Sequence, residues 1–132
     1  TYDWAIEQRE KDNCIISGFH SKIEKDVFHI LLKGDQPIIL ALARGLMQRY
    51  EPETRKSIEN GRLLVLSPFE EKVVRVNRAN ANIRNELICE ITDSIFVPYA
   101  TPGEDLDKLL KKFIRAREMG SLSTSENGYI TK

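Results

Sequence analysis

The stretch "EEKVVRVNRANANIRNE" (70–86) places Arg75, Arg78 and Arg84 among Asn77, Asn80, Asn82 and Asn85. Guanidinium forks bind phosphate oxygens two at a time, and carboxamides pair with base edges and sugars. This mixture therefore points to nucleic-acid or nucleotide chemistry, against the plainer alternative of a solvated loop with ordinary surface arginines. Three further groups suit an anion. Ser17 and Gly18 lie where the apolar run "CIISGF" gives way to the polar hinge "HSKIE", and Arg44 and Gly45 follow the apolar run "PIILALA". Thr101 and Gly103 in "ATPGED" precede an amphipathic stretch, and the unpaired N–H groups at a helix start favour negative charge. Catalytic signatures do not accompany them. Ser17 lacks the G-x-S-x-G pattern of a nucleophile elbow, and Gly18 belongs to neither G-x-G-x-x-G nor G-x-x-x-x-G-K-[ST]. His20, with no carboxylate in sight, reads as a turn residue, and His29 as a surface or boundary residue of a helix. No catalytic residue, cofactor or metal ligand is assigned.

The elements that must position these groups alternate. Four apolar runs of strand length are "CIISGF" (14–19), "PIILALA" (37–43), "LLVLSPF" (63–69) and "SIFVPYA" (94–100). None alternates polar with apolar residues, the pattern of strands buried on both faces in a parallel sheet. A helix is expected over about Asp3–Lys11. The next runs over Lys22–Lys33, with Ile23, Val27, Ile30 and Leu31 on one stripe, the capping-box pair Ser21 and Glu24 at its start and Gly34 at its end. A short helix over Pro52–Asn60 carries proline in its first turn and Gly61 just past its end. Another is expected over Ala81–Thr92. The last has Thr101 as N-cap, Pro102 at N1 and Glu104 at N3. Its stripe of Leu106, Leu109, Leu110, Phe113 and Ile114 reads as core or, less simply, as a face for self-association, and Gly120 ends it. Strand and helix in alternation predict an α/β fold: a Rossmann-like, doubly wound, mainly parallel sheet of at least four strands with helices on both faces. Residues 1–119 are expected to form one domain and the small, polar 120–132 a flexible tail. In such a sheet ligands bind beyond the carboxyl ends of the strands, where Ser17, Gly18, Arg44, Gly45, Arg84, Asn85, Thr101 and Gly103 would form a phosphate-binding edge. Arg75, Arg78 and Asn82 would extend it to nucleic acid.

The totals narrow the class. The 132 residues are 41% hydrophobic and 30% charged, and 20 basic residues match 20 acidic ones, so nucleic-acid affinity would rest on a local patch. No apolar run approaches the roughly 20 residues that span a bilayer. "TYDWAIEQREKD" lacks the apolar core of a secretory signal, and because the chain does not begin with Met it reads as a piece of a longer protein. Cys14 and Cys89 each sit in an apolar stretch without a C-x-x-C partner, the pattern of two reduced, buried thiols in a cytoplasmic protein.

Three segments in order, "SGFHSKIE" (17–24), "ALARGLMQRYEPETRKSIENGRLLVLSPF" (41–69) and "IRNELICEITDSIFVPYA" (83–100), resemble the DNA-processing protein A family, also called Smf. The likeness covers about 14–114 and is most specific at Arg84-Asn85 and the strand after it. It departs from the family at Phe19, where a second glycine is usual, and at Lys22-Ile23-Glu24, where the family has Gly-Ile-Asp. It departs again at Glu86, where the family has a second arginine, and at "TPGEDLDKLL" (101–110). The last of these is similar to other nucleotide-derivative sensors of the wider superfamily, whose phosphoribohydrolase signature P-G-G-x-G-T-x-x-E is absent. The resemblance implies a Rossmann-like fold, binding of single-stranded DNA or a nucleotide phosphate without catalysis, a role in DNA processing or uptake, and a homodimer. The alternative it implies is a small nucleotide-derivative sensor or phosphoribohydrolase-like enzyme. A ring at Phe19 in place of glycine is expected to narrow the pocket.

Overall fold

The computed structural model describes residues 1–97, 101–118, 123–124 and 129–131. The chain divides into two compact units, Thr1–Arg84 and Asn85–Lys132. In the first, helix α1 (Tyr2–Glu10) precedes β1 (Ile15–Ser17), α2 (Lys22–Leu32), β2 (Ile38–Ala41), α3 (Pro52–Glu59) and β3 (Leu63–Leu66), and α4 (Arg78–Ile91) begins there. The second contains the rest of α4, then β4 (Ser94–Phe96), α5 (Asp105–Glu118), β5 (Ser123–Thr124) and β6 (Tyr129–Thr131).

The chain is α/β, and the first unit is built on a three-stranded parallel sheet in the order β1-β2-β3. Ile15, Ile38 and Leu63 stand side by side, as do Ser17, Leu40 and Val65, so the carboxyl ends of the three strands share one edge. Among the described residues, β4 of the fourth apolar run belongs to a second sheet of order β4-β6-β5. β4 pairs antiparallel with β6, which also pairs with β5, and these two strands lie within the stretch read as a tail. The expected end of the fourth strand, 98–100, and the helix stop at Gly120 lie outside the described residues.

In the first unit α1, α2 and α3 share one core rather than flanking the sheet. Ile38 and Leu63 are buried with Ala5 of α1 and with Val27 and Leu31 of α2, and Ile58 of α3 packs on the same cluster. Crossovers of one hand between strands in the order 1-2-3 lay α2 and α3 on one side, and α1, which precedes β1, packs there with α2. The adjoining row, Ile16, Ile39 and Leu64, faces the other way, and Leu64 is 56% exposed although its run reads as doubly buried. Cys14, expected to be buried, precedes β1 and is exposed, whereas Cys89 is buried.

Local chemistry sets the element ends. Ser21 and Glu24 form the expected capping box on α2, and Pro52 opens α3. α4 starts three residues before the expected Ala81 because Asn77 caps it: the Asn80 N–H donates to Asn77 Oδ1 at 2.8 Å. α5 starts later than expected, and Thr101 is not its N-cap. Gly103 has a φ of +79° and the Glu104 N–H donates to the Thr101 carbonyl at 3.2 Å, so "TPGE" makes a reverse turn with proline second and glycine third before the helix begins.

The carboxyl end of α2 depends on a distant side chain. Arg62 donates from Nε to the Gln36 carbonyl at 2.9 Å, from Nη1 to the Leu32 carbonyl at 2.7 Å, and from Nη2 to the Leu31 carbonyl and Gln36 Oε1. Gln36, 1% exposed, donates in turn to the Leu31 carbonyl. One guanidinium thus satisfies the orphan carbonyls of a helix end and ties α2 to the start of β3. Replacing it strands buried acceptors, so Arg62→Ala is expected to lower the unfolding free energy by about 2–3 kcal/mol in urea denaturation.

Candidate functional site

At the end of β1 the chain must leave the sheet and turn into α2. Ser17 organises the turn: its Oγ accepts the Phe19 N–H at 3.1 Å and donates to Glu24 Oε1 at 3.3 Å. Phe19 has a φ of +43°, the left-handed region that favours glycine. The position takes a backbone that suits glycine while carrying a ring, at a cost of about 1–2 kcal/mol. Burial offsets that cost. Phe19 is 6% exposed, belongs to the core cluster and meets Phe28 with ring centroids 4.7 Å apart. The ring therefore packs into the core and does not narrow the strand-end edge.

Gly18 faces α4. A Cβ placed on it would overlap the Arg84 guanidinium, with Nε at 2.9 Å and Nη1 and Cζ nearer still. Only glycine lets the guanidinium lie against this backbone. Arg84, expected from the sequence to bind phosphate, lies inside α4 and is 8% exposed. Burial pushes its pKa down, and the Glu24 carboxylate opposes the shift. Glu24 holds its place through several contacts. Its Oε2 accepts the Ser21 N–H at 2.7 Å, its own N–H donates to Ser21 Oγ at 3.3 Å, Ser17 Oγ donates to it, and Arg84 faces it electrostatically. Burial alone would raise the Glu24 pKa, but hydrogen bonds from Ser21 and Ser17 and the charge of Arg84 bring it below the usual carboxylate value.

The second loop on this edge is closed by the third. Gly45 donates its N–H to the Val73 carbonyl at 2.7 Å, and a Cβ on it would lie 2.7 Å from Glu71 Cα and against the Glu70 carbonyl. The segment after β3, not a ligand, is what approaches this glycine. Arg44 is half-buried, donates Nε to the Gly45 carbonyl at 3.3 Å, and its own carbonyl accepts from Ser67 Oγ at 2.5 Å. Ser67 also accepts the Phe69 N–H at 3.0 Å, so the Ser-x-Phe turn that ends β1 recurs after β3.

The structure thus brings Ser17, Gly18 and Arg84 together and adds Glu24, which the sequence marks only as a helix cap. Arg44 and Gly45 lie on the neighbouring strand end of the same unit. Arg75 and Arg78 are exposed and Asn82 is half-buried, all within the first unit. Asn77 and Asn80 serve the start of α4, since Asn80 Nδ2 also donates to the Arg75 carbonyl at 3.2 Å. Asn85, Thr101 and Gly103 belong to the second unit, where the Gly103 N–H donates to an Asp107 carboxylate oxygen at 2.8 Å. His20 is exposed, and His29 Nδ1 is 3.7 Å from a Glu53 oxygen. Comparison of the chain with protein-family models, curated proteins and solved structures gave no match. Among the described residues no helix is long and apolar enough to cross a membrane.

The linkage at Glu24 has a definite sign. Its folded pKa lies below the unfolded value of about 4.3, so its contribution is full above that value and is lost as pH falls through the folded pKa. The stability difference between the wild type and Glu24→Gln, from urea denaturation, is therefore expected to be constant from about pH 6 to 8 and to shrink below about pH 4.

Proposed function

We propose that this chain is a non-catalytic, Rossmann-like domain of the DNA-processing protein A type, which binds the phosphates of single-stranded DNA or a nucleotide at the carboxyl edge of its parallel sheet. The observation that carries the reading is a buried guanidinium, Arg84 at 8% exposure, lying on the glycine that ends β1. Three parallel strands in the order β1-β2-β3, joined by α2 and α3, are the arrangement of one mononucleotide-binding half of a doubly wound fold. Ligands of such sheets meet the strand ends where Ser17, Gly18, Arg44 and Gly45 stand. Exposed Arg75 and Arg78 would follow a strand of nucleic acid leaving that edge. Self-association and a cytoplasmic setting belong to the same reading. A small nucleotide-derivative sensor is the second reading, favoured by the carboxylate of Glu24 beside Arg84, because an acidic group next to a cation suits sugar hydroxyls beside a phosphate.

Arg75 offers the cleaner test, because a variant at an exposed side chain leaves the fold intact. Fluorescence titration with oligothymidylate is expected to show affinity falling steeply with salt, and Arg75→Ala is expected to weaken binding and to flatten the log–log salt slope by about 1. Absence of binding at low salt rejects the nucleic-acid reading. A nucleotide that then raises the melting temperature supports the sensor.

A further inference from the structure

Arg84 and Glu24 sit on the edge where a phosphate would bind, and their charges already interact. The Glu24 carboxylate accepts the Ser21 N–H at 2.7 Å and the Ser17 hydroxyl at 3.3 Å, so it takes up one backbone donor at the start of α2 and one side-chain donor at the end of β1. The third group suited to an anion is the Arg84 guanidinium, pressed on Gly18 and electrostatically opposed to the same carboxylate. A phosphate oxygen seeks the same three kinds of partner: a backbone N–H at a helix start, a hydroxyl, and a guanidinium. An oxyanion is therefore already present among them, and it is covalently part of the chain.

We propose that Glu24 is an internal competitor for the phosphate site at Arg84, so that a phosphate group binds there only as the Glu24 side chain swings away from Ser21, Ser17 and Arg84. The proposal rests on the phosphate-binding reading above and adds its control. A ligand must displace a tethered anion whose effective concentration is high, and its apparent affinity is reduced by the fraction of molecules in which the site is open. The site then answers to ligands that offer more than one phosphate contact and ignores single weak anions.

The test is isothermal titration of the wild type and Glu24→Gln with two probes: inorganic pyrophosphate, which reads a free or terminal phosphate, and oligothymidylate, which reads an internal diester. Glutamine keeps the side-chain length and a carbonyl for the Ser21 N–H while removing the charge. Glu24→Gln is expected to bind at least one probe about tenfold more tightly than the wild type, and the probe that gains identifies the source of the phosphate. Equal affinities in the two proteins overturn the proposal and leave the binding reading standing. No binding of either probe by a folded Glu24→Gln overturns both. Should that variant fail to fold, NMR of the wild type reads the same competition. Pyrophosphate is expected to move the Ser21 amide and Glu24 carboxyl resonances with the midpoint seen at the Arg84 Nε–H. A saturable change at Arg84 with Ser21 and Glu24 unmoved overturns the proposal.

Discussion

A guanidinium lying against a glycine backbone, with a carboxylate opposite, is the contact on which the strand-end edge depends. Taking Arg84 out of water costs several kcal/mol, and the cost is recovered only where geometry and partners are good. Gly18 supplies the geometry by having no Cβ, and Glu24 supplies the opposing charge. The carboxylate is in turn fixed by Ser21 and Ser17, so two serines, a glycine, a glutamate and an arginine form one unit, each needed for the next. Removing Glu24 leaves the buried Arg84 without its opposing charge, which is more damaging than the net worth of the pair. The pair also ties the β1–α2 turn to α4.

The rest of the edge is held by backbone hydrogen bonds and close approaches rather than by apolar packing. Ser17 and Ser67 each catch the N–H two residues on, giving strands β1 and β3 the same kind of ending. Gly45 admits the backbone of Glu70 and Glu71, and its N–H reaches Val73. Loops built this way keep fixed positions while their outer surfaces stay open to solvent, which is what a site on a sheet edge requires. The apolar core lies elsewhere, around Leu31 and Ile38, and the turns meet it through Phe19. Phe19 shows how the two parts are linked: its strained backbone belongs to the turn, and its ring belongs to the core.

Features that arise from neighbours in the chain were legible in the sequence, and features that arise from distant partners were not. The capping box at Ser21 and Glu24, proline at the start of α3 and the strand character of three apolar runs all depend on short-range chemistry, and all are found. α4 starts before the expected Ala81 because Asn77 acts as a cap, a role that its place in a run of arginines and asparagines does not reveal. "TPGE" was read as a helix start because threonine and proline suit one, yet proline followed by glycine suits a reverse turn better, and Gly103 takes the positive φ that such a turn needs. The pairing of β4 with β6 could not be read, because β6 is three residues in a polar stretch and apolar runs do not say which strand they join. The opposition of Glu24 and Arg84 joins residues far apart in sequence, and each has a sufficient local explanation, one as a cap and the other as a surface arginine.

Glu24 answers to two demands that pull in different directions. As the third residue of α2 it completes the cap, and the chain gains a well-ended helix and a charge opposing Arg84. As an anion on the strand-end edge it opposes any other anion that comes there. Local rules and fold agree about this residue, whereas local rules and the proposed phosphate-binding role do not. A helix start intended only for stability could use a short capping carboxylate or none, with no buried arginine behind it. A start intended only for phosphate would leave its N–H groups and its arginine open. This chain sets a buried guanidinium behind a closed cap, which is neither design alone.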